Sequence, residues 1–472
     1  MIDIERRRTK VIWSIEGRSI NDQFLNLLNE SPVDALRIEF SPNSISETFS
    51  FLEKLNPIGS AKRVPVMLDI TPQARGRIFN LSEQKTVQFG DRIKIASSEK
   101  VPADLHVDTP VWEDLFQKGV SIFIGYGDAV LTAVSVTRDF VEAEVTQGGV
   151  VRPSSDLHVP ETRHGRDKWT WETIDVARFA SLGVDFVIFP GFADLAQIQK
   201  FRKKFEKENA KSPWLLQRVD SVNALERLDE IFKHVDGLVI SRRELALTSN
   251  PMSIPMLAKE IVMRCNKNAR LAFVASEMLA SMRFNVSPTR AEVSDIANAV
   301  LDGADGVILS EDVSRGKFAR KAYNLACNVI ENVEGEGSLP TSWEKRSPAI
   351  EDEFDAVAFE ALKTARRVKA KALVCITKGG NTALRLGSYH PDIPIIGVTF
   401  DEDVGRRISL IRGVRGLVLK VNPKIEDVLI EVNNLLKSEE RMEIGDPIVF
   451  LTVTLSSVGT SASNLFTVQR IQ

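Results

Sequence analysis

The chain is poor in cysteine: three in 472 residues, Cys265, Cys327 and Cys375, with no CxxC pair and no nearby pair of histidines. That excludes a disulfide framework and a thiolate zinc site, and it fits a reducing cytoplasm. Long apolar runs are missing as well. No stretch reaches the ~18 residues of a membrane-spanning helix, and the basic start MIDIERRRTKVIWSIEG holds no apolar run of signal-peptide length. An excess of one charge is also lacking, since 61 Lys and Arg stand against 64 Asp and Glu, a net of −3. Such a chain casts no global field towards nucleic acid or an anionic membrane, and neither is expected as a partner.

What is present is the composition of a globular protein, 43% hydrophobic and 26% charged. Disordered, collagen-like and coiled-coil classes drop out, and at ~150 residues per domain the length corresponds to about three domains. Short β-branched runs alternate with helical patterns, as in β/α units around a parallel sheet. The runs are Val11–Ile15, Ala35–Phe40, Val64–Ile70, Val184–Phe189, Trp214–Val219, Gly237–Ser241, Ala272–Ser276 and Gly306–Ser310. Helical patterns at Asp194–Glu208, Ser221–His234, Pro255–Asn266 and Thr289–Asp302 separate the later ones. Eight units in one register suggest a closed barrel, with an open doubly wound sheet as the alternative that counting leaves open.

Between the third and fourth runs, Gln73 to Pro160 shows no sustained helical period. Short strand-like segments (Arg92–Ala96, Val120–Ile124, Val130–Val136, Val141–Val145) are broken by Gly, Asp and Pro. This reads as an all-β domain inserted in a barrel loop, above the mouth where barrel active sites lie; a passive insertion is the other reading. After Val333, EGEGSLPTSWEKRSP has the turn residues and charge of a linker. Beyond it a helix at Ala356–Val368 and strands at Leu373–Thr377, Ile393–Val398, Leu417–Val421 and Ile448–Val453 suggest an open α/β domain. Its segment TKGGNT, Thr377–Thr382, ends a strand and opens a helix, where backbone N–H groups suit a phosphate; a tight turn without ligand fits equally. The expected fold class is therefore α/β: a (β/α)8 TIM-type barrel with an inserted all-β lid domain and a C-terminal open α/β domain. The barrel is expected over 1–72 and 160–335, the lid over 73–159 and the last domain over 348–472.

Chemistry in such a barrel sits at the C-terminal ends of the strands. Those ends carry Arg37, Glu39 and Ser41; Asp69; Arg218 and Asp220; Arg242, Arg243 and Glu244; Ser276 and Glu277; and Glu311 and Asp312. Asp220 and Glu244, on neighbouring strands, suit a hard divalent cation such as Mg²⁺, which takes one or two carboxylates plus substrate oxygens. Arginines beside a metal suit a phosphate or carboxylate substrate, which the guanidinium fork grips in a bidentate way. Structural ion pairs around the mouth are the competing reading. Residue chemistry alone reaches metal-assisted chemistry on a small anion.

Several stretches carry a resemblance to a known family. SPTRAEVSDIANAVLDG, Ser287–Gly303, closely resembles the signature after the seventh strand of pyruvate kinases, and ADGVILSEDVSRGKF resembles their eighth strand. RRTKVIWSI, ALRIEFS, RVDSVNALERLDEI, VDGLVISRREL and RCNKNARLAFVASEMLASM are similar to the family's other strands and helices. The resemblance covers nearly the whole chain. It implies phosphoryl transfer between phosphoenolpyruvate and ADP, giving pyruvate and ATP in glycolysis, with Mg²⁺ or Mn²⁺, K⁺ and a cytoplasmic homotetramer. By it Arg37, Arg75 and Arg218 act on the phosphate, Ser276 helps deliver the enolate proton, and Asp220 and Glu244 hold the metal. Arg242, Arg243 and Glu244 line the substrate, Glu39, Ser41 and Asp69 stand where the family ligates K⁺, and Thr377, Lys378 and Thr382 stand at its effector turn.

The family pattern is also altered here. Glu39 stands for an asparagine, which either strengthens a monovalent-cation site or salt-bridges a nearby arginine and abolishes it. The segment Asp69 to Arg75 is one residue short. Lys-Ile-Glu becomes Arg218-Val219-Asp220, and Arg-Gly-Asp becomes Arg242-Arg243-Glu244, so the two metal carboxylates exchange lengths. Gly125-Tyr126-Gly127 lacks the lid's two carboxylates, and Ser155 stands for its lysine. Three functions follow: a divergent pyruvate kinase, a pseudoenzyme that senses a metabolite or regulates a partner, or metal-dependent enolate chemistry on another 2-oxo acid.

Overall fold

A computed structural model describes residues 7–15, 33–40, 49–50, 52–53, 64–70, 75–79, 81–108, 116–125, 127–153, 155–159, 175–191, 195–275, 278–310, 313–314, 316–335, 353–420, 425–438, 442–455 and 462–471. Three strands come first: β1 (Lys10–Ile15), β2 (Ala35–Phe40) and β3 (Val66–Ile70). Nine short strands follow: β4 (Arg75–Phe79), β5 (Lys85–Val87), β6 (Arg92–Ala96), β7 (Leu105–Asp108), β8 (Ser121–Ile124), β9 (Ala129–Val136), β10 (Phe140–Gln147), β11 (Gly149–Val151) and β12 (Asp156–His158). Seven of them close a small barrel in the order β10-β6-β7-β4-β12-β8-β9, and β5 pairs with β11. Alternation explains the closure: β9 and β10 turn every second side chain (Ala129, Leu131, Ala133; Val141, Ala143, Val145) into a core of their own.

Strand and helix then alternate. α1 (Val176–Ser181), β13 (Phe186–Phe189), α2 (Leu195–Lys207), β14 (Trp214–Val219), α3 (Val222–Glu226) and α4 (Leu228–Ile231) lead to β15 (Gly237–Ser241). After it come α5 (Arg242–Thr248), α6 (Ile254–Lys267), β16 (Leu271–Ala275), α7 (Arg290–Asp302), β17 (Gly306–Leu309) and α8 (Ala319–Gly335). The eight strands close as β1-β17-β16-β15-β14-β13-β3-β2, every recorded pairing parallel. The helix expected at Ser221–His234 is two short helices, because Arg227 leaves helical geometry at φ −104° and ψ 8°. α7 starts on a capping box: the Thr289 hydroxyl accepts from the Glu292 N–H while the Glu292 carboxylate accepts from Thr289 N–H.

Strand parity sorts the barrel's side chains into two cores. Val11, Trp13, Ile38, Leu68, Phe189, Leu215 and Val219 face outwards onto the helices. Ile12, Met67, Ile188, Leu216, Phe273 and Ile308 fill the lumen. That inner core does not stop at the barrel's floor. It continues without a break into Leu384, Tyr389, Ile408 and Ile411 of the last domain.

The last domain runs α9 (Glu353–Arg367), β18 (Ala372–Ile376), α10 (Asn381–Ser388), β19 (Ile395–Thr399), α11 (Glu402–Ile408), β20 (Val414–Val418), α12 (Ile425–Ser438), β21 (Pro447–Leu455) and β22 (Ala462–Arg470). Its open sheet has the order β20-β19-β18-β21-β22, parallel except for β22 against β21. β20 lies three residues before the expected Leu417–Val421, and β22 has no counterpart among the expected strands. The three cysteines are free, and among the described residues no helix is long and apolar enough to cross a membrane.

Candidate active site

The upper layer of the barrel lumen is polar where the lower layers are apolar. One strand carries both: Leu216 lies in the lumen core, and Arg218, two residues on and on the same face, stands above it. By the same parity Ser14 stands above Ile12 and Asp69 above Met67. Arg37 and Glu39 share the inward face of β2, and register sets Ser14 beside Arg37 and Glu39 beside Asp69.

These side chains form one network. Arg37 gives Asp69 Oδ2 a contact of 2.6 Å from both Nε and Nη2. Its Nη2 also donates to Glu39 Oε1 at 2.9 Å, and its Nη1 donates to Ser14 Oγ at 3.0 Å. Arg218 Nη2 donates to the other Asp69 oxygen, Oδ1, reaching across β13 from β14. Exposure falls from 29% at Glu39 and 13% at Arg37 to 4% at Arg218 and 1% at Asp69. Burial works against the Arg37 charge, but Asp69 and then Glu39 outweigh it and lift the guanidinium above its ordinary pKa. Glu39 thus forms a salt bridge to a nearby arginine.

Asp220, just past the end of β14, is half-buried, and its Oδ2 accepts from Gly191 N–H at 3.2 Å. Gly191 follows β13, and its carbonyl accepts from the Gln217 amide at 3.3 Å. A Cβ on Gly191 would run into the Asp220 carboxylate and lie 2.8 Å from Arg218 O, so only glycine allows this approach. Gly191 was not among the expected site residues. Its signal in the sequence is a Pro-Gly pair closing a barrel strand.

Glu244 and Arg243 lie in the first turn of α5, both half-buried. Arg242 beside them is engaged elsewhere: its Nη1 and Nη2 reach Asp295 Oδ1 and Oδ2 on α7, each at 3.1 Å. The inserted barrel meets this rim. Gly127, in left-handed backbone at φ 91°, lies where a Cβ would be 3.7 Å from Leu247 Cδ2 on α5. Asp220 and Glu244 offer carboxylate oxygens from adjoining strand ends, a donor set suited to a hard divalent ion completed by substrate oxygens. Among the described residues no group of three or more ligating side chains forms a cage by itself.

The remaining expected residues are spread out. Ser41, Ser276, Glu277, Glu311, Asp312 and Tyr126 lie outside the described residues, as does the side chain of Arg75, whose backbone opens β4. The turn at Thr377, Lys378 and Thr382 is in the last domain, not at the barrel mouth. Thr377 is buried, and its hydroxyl accepts from Gly380 N–H at 2.9 Å, which holds the turn closed. Lys378 is exposed and Thr382 half-buried. Gly380 takes φ 94° and packs where a Cβ would meet the Trp214 ring at 2.6 Å.

The family model described as "Pyruvate kinase, barrel domain" matches residues 6–323, and "Pyruvate kinase, alpha/beta domain" matches residues 355–468. The pyruvate kinase of Clostridium perfringens is 24% identical over 475 residues, spanning 98% of this chain and 100% of that protein. That of Staphylococcus saprophyticus is 25% identical over 456 residues, spanning 94% and 77%. Among solved structures, the Cryptosporidium parvum pyruvate kinase in complex with ADP has the same fold, with a TM-score of 0.83 at 24% identity over 99% of this chain and 96% of that one.

Proposed function

The chain belongs to the pyruvate kinase family, and from that membership we propose that the polar layer of its barrel moves a phosphoryl group between phosphoenolpyruvate and ADP. The observation that carries this reading is the convergence of Arg37 and Arg218 on buried Asp69 at the top of the lumen, beside Asp220. In phosphoryl transfer the protein forms few covalent bonds; it positions groups and stabilises charge. Two guanidiniums locked by a common carboxylate meet that demand, because side chains already fixed in place lose no freedom when the substrate binds. Arg243 and Arg75 would add to the charge that neutralises the substrate, and Ser276 would help deliver the proton to the enolate.

Asp220 and Glu244 would hold Mg²⁺ or Mn²⁺, which supplies Lewis-acid polarisation of phosphoryl oxygens when bound. Outside the Arg242–Asp295 pair, the described rim side chains carry more negative than positive charge, so a divalent ion is what makes this rim welcoming to an anion. Gly191 sets where Asp220 lies. Arg242, through Asp295, anchors the start of α5 and so positions Arg243 and Glu244. The same reading makes the chain a cytoplasmic glycolytic enzyme that assembles as a homotetramer, with the turn at Thr377, Lys378 and Thr382 as an effector site.

The deciding experiment is pyruvate formation from phosphoenolpyruvate and ADP by the purified protein, with Mg²⁺ or Mn²⁺ and after chelation. It is run beside the Arg218→Lys/Asp220→Glu/Glu244→Asp variant. The expected result is metal-dependent turnover by the natural protein. Absence of turnover, with metal and phosphoenolpyruvate shown to bind, would replace this reading with that of a metabolite sensor.

A further inference from the structure

Monovalent-cation sites are built from oxygen donors, and among the described residues both carboxylate oxygens of Asp69 and Oε1 of Glu39 are already engaged. Asp69 stands at the inward end of β3 with both carboxylate oxygens in guanidinium contacts, Oδ1 with Arg218 and Oδ2 with Arg37. Arg37 also bridges to Glu39 at 2.9 Å, so its fork lies between the two carboxylates, the place a cation joining them would take. Ser14 fixes the far end of that fork at 3.0 Å. A K⁺ ion brought to Asp69 would share its oxygens with two fixed positive charges in a buried setting, where like charges repel strongly. The guanidiniums cannot leave by losing a proton, since arginine stays charged at every pH the fold survives. The described donors, Asp69 and Glu39, therefore do not fit K⁺.

We infer that Arg37 and Arg218 replace a monovalent cation, holding the charge of Asp69 and Glu39 themselves, so that this chain binds its anionic substrate without K⁺. The inference rests on the reading of the upper lumen as an anion site, and it assigns the substitutions at positions 39 and 218 a joint purpose. An arginine at 218 is long enough to reach Asp69 from β14, and a glutamate at 39 gives Arg37 a second carboxylate to hold.

The test is made on the free protein, so it needs no turnover. The thermal midpoint and the ²⁰⁵Tl⁺ NMR signal of Tl⁺, a K⁺ mimic, are followed against KCl and against tetramethylammonium chloride at equal ionic strength. Phosphoenolpyruvate affinity is measured in both salts with Mg²⁺ present. For the natural protein we expect no K⁺-specific rise in midpoint, no saturable Tl⁺ broadening, and dissociation constants equal within about twofold. The double variant Glu39→Asn/Arg218→Lys withdraws the fork from Asp69 Oδ1 and removes the second carboxylate that Arg37 bridges to, and we expect it to gain a K⁺-specific rise of a few degrees and saturable Tl⁺ binding. Saturable K⁺ or Tl⁺ binding by the natural protein would overturn the inference, as would a Glu39→Asn/Arg218→Lys protein indifferent to K⁺. Failure of phosphoenolpyruvate to bind in either salt would instead refute the anion-site reading, and the cation result would stand apart from it.

Discussion

Replacing Asp69 by asparagine is the sharpest perturbation of the upper lumen, because it removes one charge and leaves two. Arg218 is 4% exposed, and its carboxylate partner here is Asp69. Arg37 keeps Glu39, which is 29% exposed and partly screened by water. Removing one partner of a buried pair costs about 3–5 kcal/mol, since the remaining charge is left uncompensated away from water. At ~2–4 °C per kcal/mol for a domain of this size, the barrel's thermal midpoint should fall by roughly 6–20 °C. Glu39→Gln breaks an ion pair near the surface of the same network, worth about 0–1 kcal/mol, and should move the midpoint by a few degrees at most. The double variant Asp69→Asn/Arg218→Met removes the stranded charge along with its partner and should recover most of the loss. Thermal unfolding followed by circular dichroism separates the three. An Asp69→Asn midpoint no lower than that of Glu39→Gln, or a double variant no better than the single, would refute the claim that Asp69 is held by compensation between buried charges.

Gly191→Ala should push Asp220 out of place without touching any charge; positional errors of about 1 Å cost about 10²-fold in rate, so Mn²⁺ affinity by electron paramagnetic resonance and metal-dependent turnover should both fall steeply. An alanine variant that binds Mn²⁺ like the natural protein would contradict the close approach seen at Gly191. Asp305, below the barrel floor, is fully buried; burial pushes its carboxyl up to about 6 from 3.8, against backbone N–H donors from Arg412 at 2.9 Å and Ala272 at 2.8 Å. The folded chain therefore keeps a proton that the unfolded chain has lost. The stability this contributes is fully present below the unfolded value and is lost as pH rises through about 6, amounting to ~3 kcal/mol at most. The midpoint of the natural protein relative to Asp305→Asn should thus fall between about pH 4 and 6 and stay level above; a difference that is flat or rising across that window would refute it.

The barrel strands were legible because parallel strands are buried on both faces and so read as unbroken apolar runs; VDFVIF and GLVIS have no other comfortable home. β22 was not legible for the opposite reason. Its sequence ASNLFTVQR leaves Leu465 and Val468 exposed, and what makes it a strand is its long pairing with β21, a tertiary fact. β20 starts three residues before the expected strand because VRGLV is only half-buried over most of its length, so its pattern competes with that of the overlapping LVLKV. In the site, strand ends are enough to single out Arg37, Asp69, Arg218 and Asp220. Their connections were not readable: the bond from β14 to Asp69 spans 149 residues of chain, and the engagement of Arg242 by Asp295 spans 53. Gly191 is marked by no functional side chain, because its role is the absence of one.

The floor of the barrel has a consequence for how the molecule divides. Counted along the chain there are three parts, but counted by shared interior the barrel and the last domain are inseparable. Ile12, Leu216 and Phe273 lie in one core with Tyr389 and Ile411. The inserted β barrel keeps its own core, with Ile95, Leu131 and Val145 among its members. Modularity is therefore lopsided. Among the described residues that core contains no side chain of the host barrel, so an exchange for a relative's version asks little of the barrel. The C-terminal domain acts as the barrel's stopper, and a transplanted one would have to match, side chain by side chain, the floor it closes.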